Sequence, residues 1–184
     1  MRTKSLLFIL MVLFLTAGLM GQEPAPTAQS IMDAAYKKAT LENKKVFLMF
    51  HASWCGWCHR MDSLMTKTDC KSLFEDNFVI EHLVVQESAK KKNLENPGAQ
   101  EMLVKYKGDK SGIPYWLVFN SKGKLLADSR MKTKSKEGKT VLANTGCPAT
   151  EEEVAYFRSV LDKTTKLTAQ DLDLIAERFI IRKQ

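Results

Sequence analysis

Cys55-Gly56-Trp57-Cys58 holds the reactive chemistry of this 184-residue chain. Two cysteines with two residues between them can close a small disulfide and open it again. They stand between an apolar run, Val46-Phe47-Leu48-Met49-Phe50, and a helical pattern that begins at the second cysteine. A helix start leaves backbone N–H groups unpaired and carries partial positive charge, and both favour a thiolate over a thiol. The thiolate is the nucleophile of disulfide exchange, so this position makes a cysteine reactive near neutral pH. The spacing after a buried strand therefore reads as a redox pair. Two other readings use the same residues. Cys55-x-x-Cys58-His59 also has the spacing of c-type haem attachment, or the disulfide is merely structural in a binding module. Haem needs an apolar pocket and a distal ligand, usually among helices, whereas the pattern around this motif alternates strand and helix. Zinc is served less well, because no second Cys/His pair stands at ligand spacing.

Residues near the pair divide into helpers and packing. His59 follows Cys55 by four positions and can share its helix face. There it either stabilises the Cys55 thiolate when protonated or is an exposed helical histidine. Trp54 precedes the motif and is read as shielding the disulfide and meeting a substrate. Trp116 is read as core, and His51 and His82 as hydrogen-bonded strand residues. The methionines are gap-filling hydrophobes. Cys70 is expected to be a buried structural thiol and Cys147 an exposed loop thiol. Pairing of the two, or a second redox couple, is the alternative for an exported chain.

The elements that must position the motif follow from periodicity and caps. Ser30 with Asp33 marks a helix over residues 31–42. Val46–Phe50, apolar throughout, is a strand covered on both faces. Trp57, Met61, Leu64, Met65 and Thr68 recur at helical spacing behind the motif, and residues 71–76 form a shorter helix. Phe78–Val85 has apolar side chains on both faces and is placed as a central, parallel strand. After a lysine-rich loop, Asn96-Pro97 caps a helix to about Tyr106. Ile113-Pro114 leads into the strand Tyr115–Phe119, and Asn120-Ser121-Lys122-Gly123 turns the chain into a strand near residues 124–127. Residues 128–148 are polar and basic and show no period. Thr150 with Glu153 forms a capping box for a helix to about Lys163. Thr168 with Asp171 starts a last helix with Leu172, Ile175, Ala176 and Phe179 as its apolar stripe. The order implies an α/β domain whose crossover helices join parallel strands, with a tight turn joining the last two antiparallel ones. There is no internal repeat.

Charge and targeting bound the setting. Arg2 and Lys4 precede an uncharged stretch of 17 residues, Ser5 to Gly21, the pattern of a secretory signal peptide. Cleavage after Gly21 would leave Gln22 first. Leu19 matches the small-residue rule poorly, so an uncleaved anchor is the second possibility, though a comfortable span needs about 20 residues. Either way the domain is expected outside the cytoplasm, periplasmic or secreted, with residues 22–27 as linker and 28–184 as the domain. The net charge of +7 concentrates in Lys90-Lys91-Lys92 and Arg130–Lys139. The second stretch lacks the aromatics of a nucleic-acid groove and reads as solvated lysine-rich loop.

Residues 44–60, Lys-Lys-Val-Phe-Leu-Met-Phe-His-Ala-Ser-Trp-Cys-Gly-Trp-Cys-His-Arg, resemble the active-site segment of the thioredoxin superfamily. Trp54 and Gly56 match that pattern, Ile113-Pro114 matches its cis-proline, and residues 120–124 match the hairpin turn that follows. The resemblance spans roughly residues 28–165 and leaves the final helix as an addition. It looks most like the secreted bacterial thioredoxin-like proteins akin to the C-terminal domain of the disulfide reductase DsbD. It implies a thioredoxin fold, a mixed sheet flanked by helices. It implies a thiol:disulfide oxidoreductase with Cys55 as nucleophile and Cys58 as resolving thiol. The Ile113 backbone would stand beside Cys55, where a substrate strand can pair. No cofactor is implied. The partners would be protein disulfides or thiols and a membrane-bound redox protein supplying electrons. Two departures stand out. Met49 occupies the position where the family usually has a buried aspartate, so protons must reach and leave Cys58 by another route, water among them. Trp57 replaces the proline or histidine before the second cysteine, so substrate class and direction do not carry over.

Overall fold

The computed structural model describes residues 25–182. The expected leader, residues 1–21, lies outside them. Four strands make the main sheet in the order β2-β1-β3-β4: β1 (Lys45–His51), β2 (Phe78–Val84), β3 (Tyr115–Phe119) and β4 (Leu125–Asp128). Alternation along the strands sorts their side chains into two layers. Phe47, Met49, Trp116 and Val118 face one side and Val46, Leu48, Phe50, Leu117 and Phe119 the other.

The first side is covered by α2 (Gly56–Thr66), α3 (Lys71–Glu75), α5 (Glu151–Thr164) and α6 (Ala169–Phe179). Met61, Met65, Phe74, Phe157, Leu161, Ile175 and Phe179 fill the space between. The second side is covered by α1 (Ala28–Leu41) and α4 (Ala99–Lys105), through Met32, Ala35, Ala39 and Leu103. Residues 46–50 of β1 are at most 1% exposed, as an apolar run in the middle of three layers requires. This is the mixed α/β architecture the resemblance implies.

Several expectations need correction. β2 runs parallel to β1 but lies at the sheet edge, not in its centre. Apolar side chains on both faces report cover by helices, and they are silent on whether a second strand neighbours. β3 is antiparallel to β1, with Phe50 opposite Tyr115. The 3₁₀ segment Ala89–Leu94 and α4 therefore return the chain to the same end of the sheet, where a parallel crossover was expected. The direction matters, because it brings the start of β3, and Pro114 before it, beside the end of β1, where the motif begins.

Two helix starts also differ. Thr27, not Ser30, caps α1, and its side chain accepts the Ser30 N–H. Asn96 does not cap α4. Its side chain accepts from Val84 N at 2.8 Å and donates to Pro26 O at 2.9 Å, and Gly98 (φ 83°) starts the helix instead. The capping boxes of α5 and α6 form as expected from Thr150/Glu153 and Thr168/Asp171.

The segment without a period holds a hairpin, β5 (Arg130–Lys134) and β6 (Thr140–Asn144), paired with each other and apart from the main sheet. It escapes a hydrophobicity reading because its side chains are mostly half or fully exposed. Backbone pairing and the Gly138 turn (φ 77°) define it.

Candidate active site

Cys55 is the N-cap of α2, and Cys58 lies in its first turn. The two form a disulfide, with Cα atoms 5.3 Å apart. The Cys58 N–H points at Cys55 Sγ from 3.1 Å. An orphan donor of the helix start thus serves the first sulfur, the arrangement that stabilises negative charge there once the bond opens. Cys55 is 4% and Cys58 1% exposed. The place of Cys55 ahead of the helix and its role as attacking thiol would lead one to expect it exposed. The structure recesses it between its exposed neighbours Trp54 and Trp57, which are 59% and 51% accessible.

The segment before the helix is tied at several points. The Trp54 indole N–H donates to Gln86 O at 2.9 Å, so Trp54 stands over the surface and not in the core. Glu87 is buried and accepts from the Ser53 backbone N–H and, at 3.0 Å, from its hydroxyl. The backbone donor is the main reason its carboxyl stays below the usual range. His59 Nε2 lies 3.0 Å from Ser53 O. Its ring fastens the loop and makes no hydrogen bond to the Cys55 sulfur; His59 meets Cys55 through its backbone N–H, 3.1 Å from Cys55 O. A Cβ built on Gly56 would meet nothing within 4 Å, so packing within the chain does not demand this glycine.

The Ile113–Pro114 peptide is cis, and Ile113 O stands 3.7 Å from Cys55 Sγ. Ile113 also packs against Ala52, Cys55 and Cys58. The loop is held by a residue that the sequence reading missed, Asn144 at the end of β6. Its Nδ2 donates to the carbonyls of Ser111, Gly112 and Pro114 at 3.0, 3.1 and 3.0 Å. Its Oδ1 accepts from Gly146 N at 3.0 Å. Trp116, fully buried as expected, donates its indole N–H to Gly146 O at 2.9 Å. No periodic signal marks Asn144. Only the hairpin brings it to the loop.

Beside the disulfide a groove of about 400 Å³ is lined by Trp57, Ile113, Pro114, Asn144, Cys147 and Glu153, among others. Cys147 is 4% exposed, which corrects the expectation of an exposed loop thiol. Arg60 covers it. One guanidinium nitrogen is 2.9 Å from Cys147 Sγ and 3.3 Å from Pro148 O, and the other donates to Phe179 O. Arg60 also lies over the Trp57 ring at 5.8 Å. Cys70 is fully buried and, like Cys147, is a free thiol. Burial raises the pKa of both thiols. Among the described residues no group of three or more His, Cys, Asp or Glu is arranged to hold a metal ion.

The thioredoxin-like domain family matches residues 32–144, well over half of the chain. The chain belongs to that family. With the Cys55–Cys58 disulfide at its helix start, it is a thiol:disulfide oxidoreductase of the thioredoxin superfamily. No curated protein matches it. Among solved structures, a disulphide isomerase from Xylella fastidiosa Temecula1 is 25% identical, over 61% of this chain and 79% of the other, with a TM-score of 0.46. The C-terminal domain of Neisseria meningitidis DsbD in its oxidised form is 19% identical, over 73% and 98%, with a TM-score of 0.38. A thioredoxin from Thermus thermophilus is 18% identical, over 76% and 87%, with a TM-score of 0.43. Similarity at this level adds nothing to the family match, and the functional reading rests on that match and on the geometry.

Proposed function

We propose that this chain is an exported reductase or isomerase of protein disulfides, with Cys55 as attacking thiol and Cys58 as resolving thiol. One observation carries the reading: a disulfide at a helix start lies beside the backbone of a proline loop, with an open groove next to it. Cys55 attacks a substrate disulfide and forms a mixed disulfide, and Cys58 then attacks Cys55 and releases the substrate thiol. The free space over Gly56 and the exposed rings of Trp54 and Trp57 suit the close approach of an extended substrate backbone with apolar side chains. The leader pattern of residues 1–21 supports export. Among the described residues no helix is long and apolar enough to cross a membrane. In an oxidising compartment the electrons would come from a membrane-bound redox partner.

Direction follows from charge. A strongly oxidising dithiol needs a thiolate held by positive charge. Here Arg60 is committed to Cys147 and two carbonyls, and His59 to Ser53 O. The helix start alone serves Cys55. A midpoint nearer the roughly −270 mV of thioredoxin than the roughly −120 mV of DsbA is expected. The haem reading gains no support from the site, because His59, the ligand it needs, faces the Ser53 carbonyl. The test is capture with Cys58→Ser, which should accumulate mixed disulfides with exported proteins, together with insulin reduction by the unaltered chain. No capture and no turnover would leave a structural disulfide in a binding module. A glutathione titration with a midpoint more oxidising than about −180 mV would overturn the direction.

A further inference from the structure

A second cavity, of about 200 Å³, opens on the resolving cysteine. It is lined by Met49, His51, Cys58, His59, Asp62 and His82. The topology assembles it from three elements. Met49 and His51 are two apart on β1 and share a face, and His82 is the ladder partner of Met49 on β2. Cys58 and Asp62 are one turn apart on α2. Met49 brings no proton-exchanging group, and the histidines surround it. The His51 and His82 rings meet edge to face, 5.2 Å between centroids. His82 Nε2 is 3.2 Å from Asp62 Oδ1, yet this nitrogen is shut off from solvent and completes no hydrogen bond. A ring nitrogen left open in a polar cavity beside a thiol is placed to exchange a proton with it.

The chemistry of the second step asks for such a group. In the mixed disulfide Cys58 is a thiol, and its position, 1% exposed in the closed disulfide, leaves little water beside it to take the proton. We propose that His82, whose imidazolium Asp62 stands ready to pair with and which the His51 ring backs, accepts the Cys58 proton across this cavity. The inference rests on the thiol:disulfide reading above. A cavity of this size has room for a bridging water. First the Cys55 thiolate bonds to one substrate sulfur, the substrate S–S bond breaks, and one substrate thiolate leaves. Cys58 S–H then gives its proton to His82. The Cys58 thiolate bonds to Cys55 Sγ, the Cys55–substrate bond breaks, and the second substrate thiolate leaves. Two electrons pass from the dithiol to the substrate, and the imidazolium returns its proton to the released thiolate or to water.

Burial favours neutral rings at rest. His51 is pushed down to about 4 by burial, then by His82 and His59, with Asp62 and Glu87 opposing. Burial lowers His82 also, but Asp62 works against it. Of the two, His82 is therefore the better proton acceptor, and His51 positions it.

The reduced full chain is mixed with dithiobis(nitrobenzoate), which releases one coloured thiolate on attack by Cys55 and a second on resolution by Cys58. In His82→Gln the second release should slow about 10²-fold near pH 7, the scale of general-base assistance, with the first release as internal reference. The gap should narrow as the pH is raised past the ordinary thiol value of about 8.5, where hydroxide increasingly replaces the imidazole as proton acceptor. A second release within about twofold of the parent at every pH, against an expected effect of about 10²-fold, overturns the proposal. Absence of the first release in the parent defeats the oxidoreductase reading instead. Should the variant not fold, the imidazole resonances of the unaltered chain decide. The His82 titration should differ between dithiol and disulfide forms, and identical titrations overturn the proposal.

Discussion

Replacing Asn144 with alanine should loosen the proline loop without touching either active-site cysteine. The side chain has two N–H donors, which three carbonyls share, and its oxygen takes the Gly146 N–H. The deletion therefore removes about three hydrogen bonds, worth about 1 kcal/mol each. Asn144 is only half-buried, and water will satisfy some of the abandoned groups, so a net loss of about 2 kcal/mol is expected. For a chain of this length that lowers the melting temperature by about 4–8 °C. Circular dichroism melting measures it. Because Ile113 and Pro114 sit at the mouth of the groove, the KM for insulin should rise more than kcat falls. Asn144→Asp should be no better than alanine. It keeps the acceptor for Gly146 N–H but turns a carboxylate toward three carbonyl oxygens. A melting temperature within about 1 °C of the parent, equivalent to well under 1 kcal/mol, with unchanged kinetics would refute the reasoning.

Three further outcomes are expected. With the Cys55–Cys58 bond closed, Cys70 and Cys147 should label slowly with iodoacetamide at neutral pH and quickly in denaturant, since burial raises both thiols; fast native labelling of Cys147 would contradict its cover. Acid should destabilise the fold through His51, whose folded pKa of about 4 lies below its ordinary 6.5. Between those values the unfolded chain binds more protons, so stability is lost as pH falls through that window, with His82 adding in the same sense. The urea midpoint should track this, and a His51→Gln variant with an unchanged slope would rule His51 out. Arg60→Ala should free the end of α6 from Phe179 O and uncover Cys147, seen as faster proteolysis beyond residue 165 and faster Cys147 labelling; unchanged rates of both would show that packing alone holds α6.

What the sequence by itself determined is local. The capping boxes of α5 and α6, the apolar run of β1 and the cysteine spacing each depend on residues within a few positions of one another, so each is visible as a pattern. The place of the redox pair at the start of α2 follows from the same short range. Tertiary structure alone decided what crosses the chain. The direction of β3 is set where α4 returns the chain, and with it the meeting of Pro114 and Cys55. Cys147 is buried because Arg60, 87 positions away, reaches over it. Asn144 holds the proline loop only because two polar strands pair by backbone hydrogen bonds, which leave no hydrophobic period to read. His51 and His82 of the second cavity lie 31 positions apart, and the register of β1 against β2 brings them together. Contacts of that kind depend on the geometry of the whole sheet, and no local pattern of residue types encodes them.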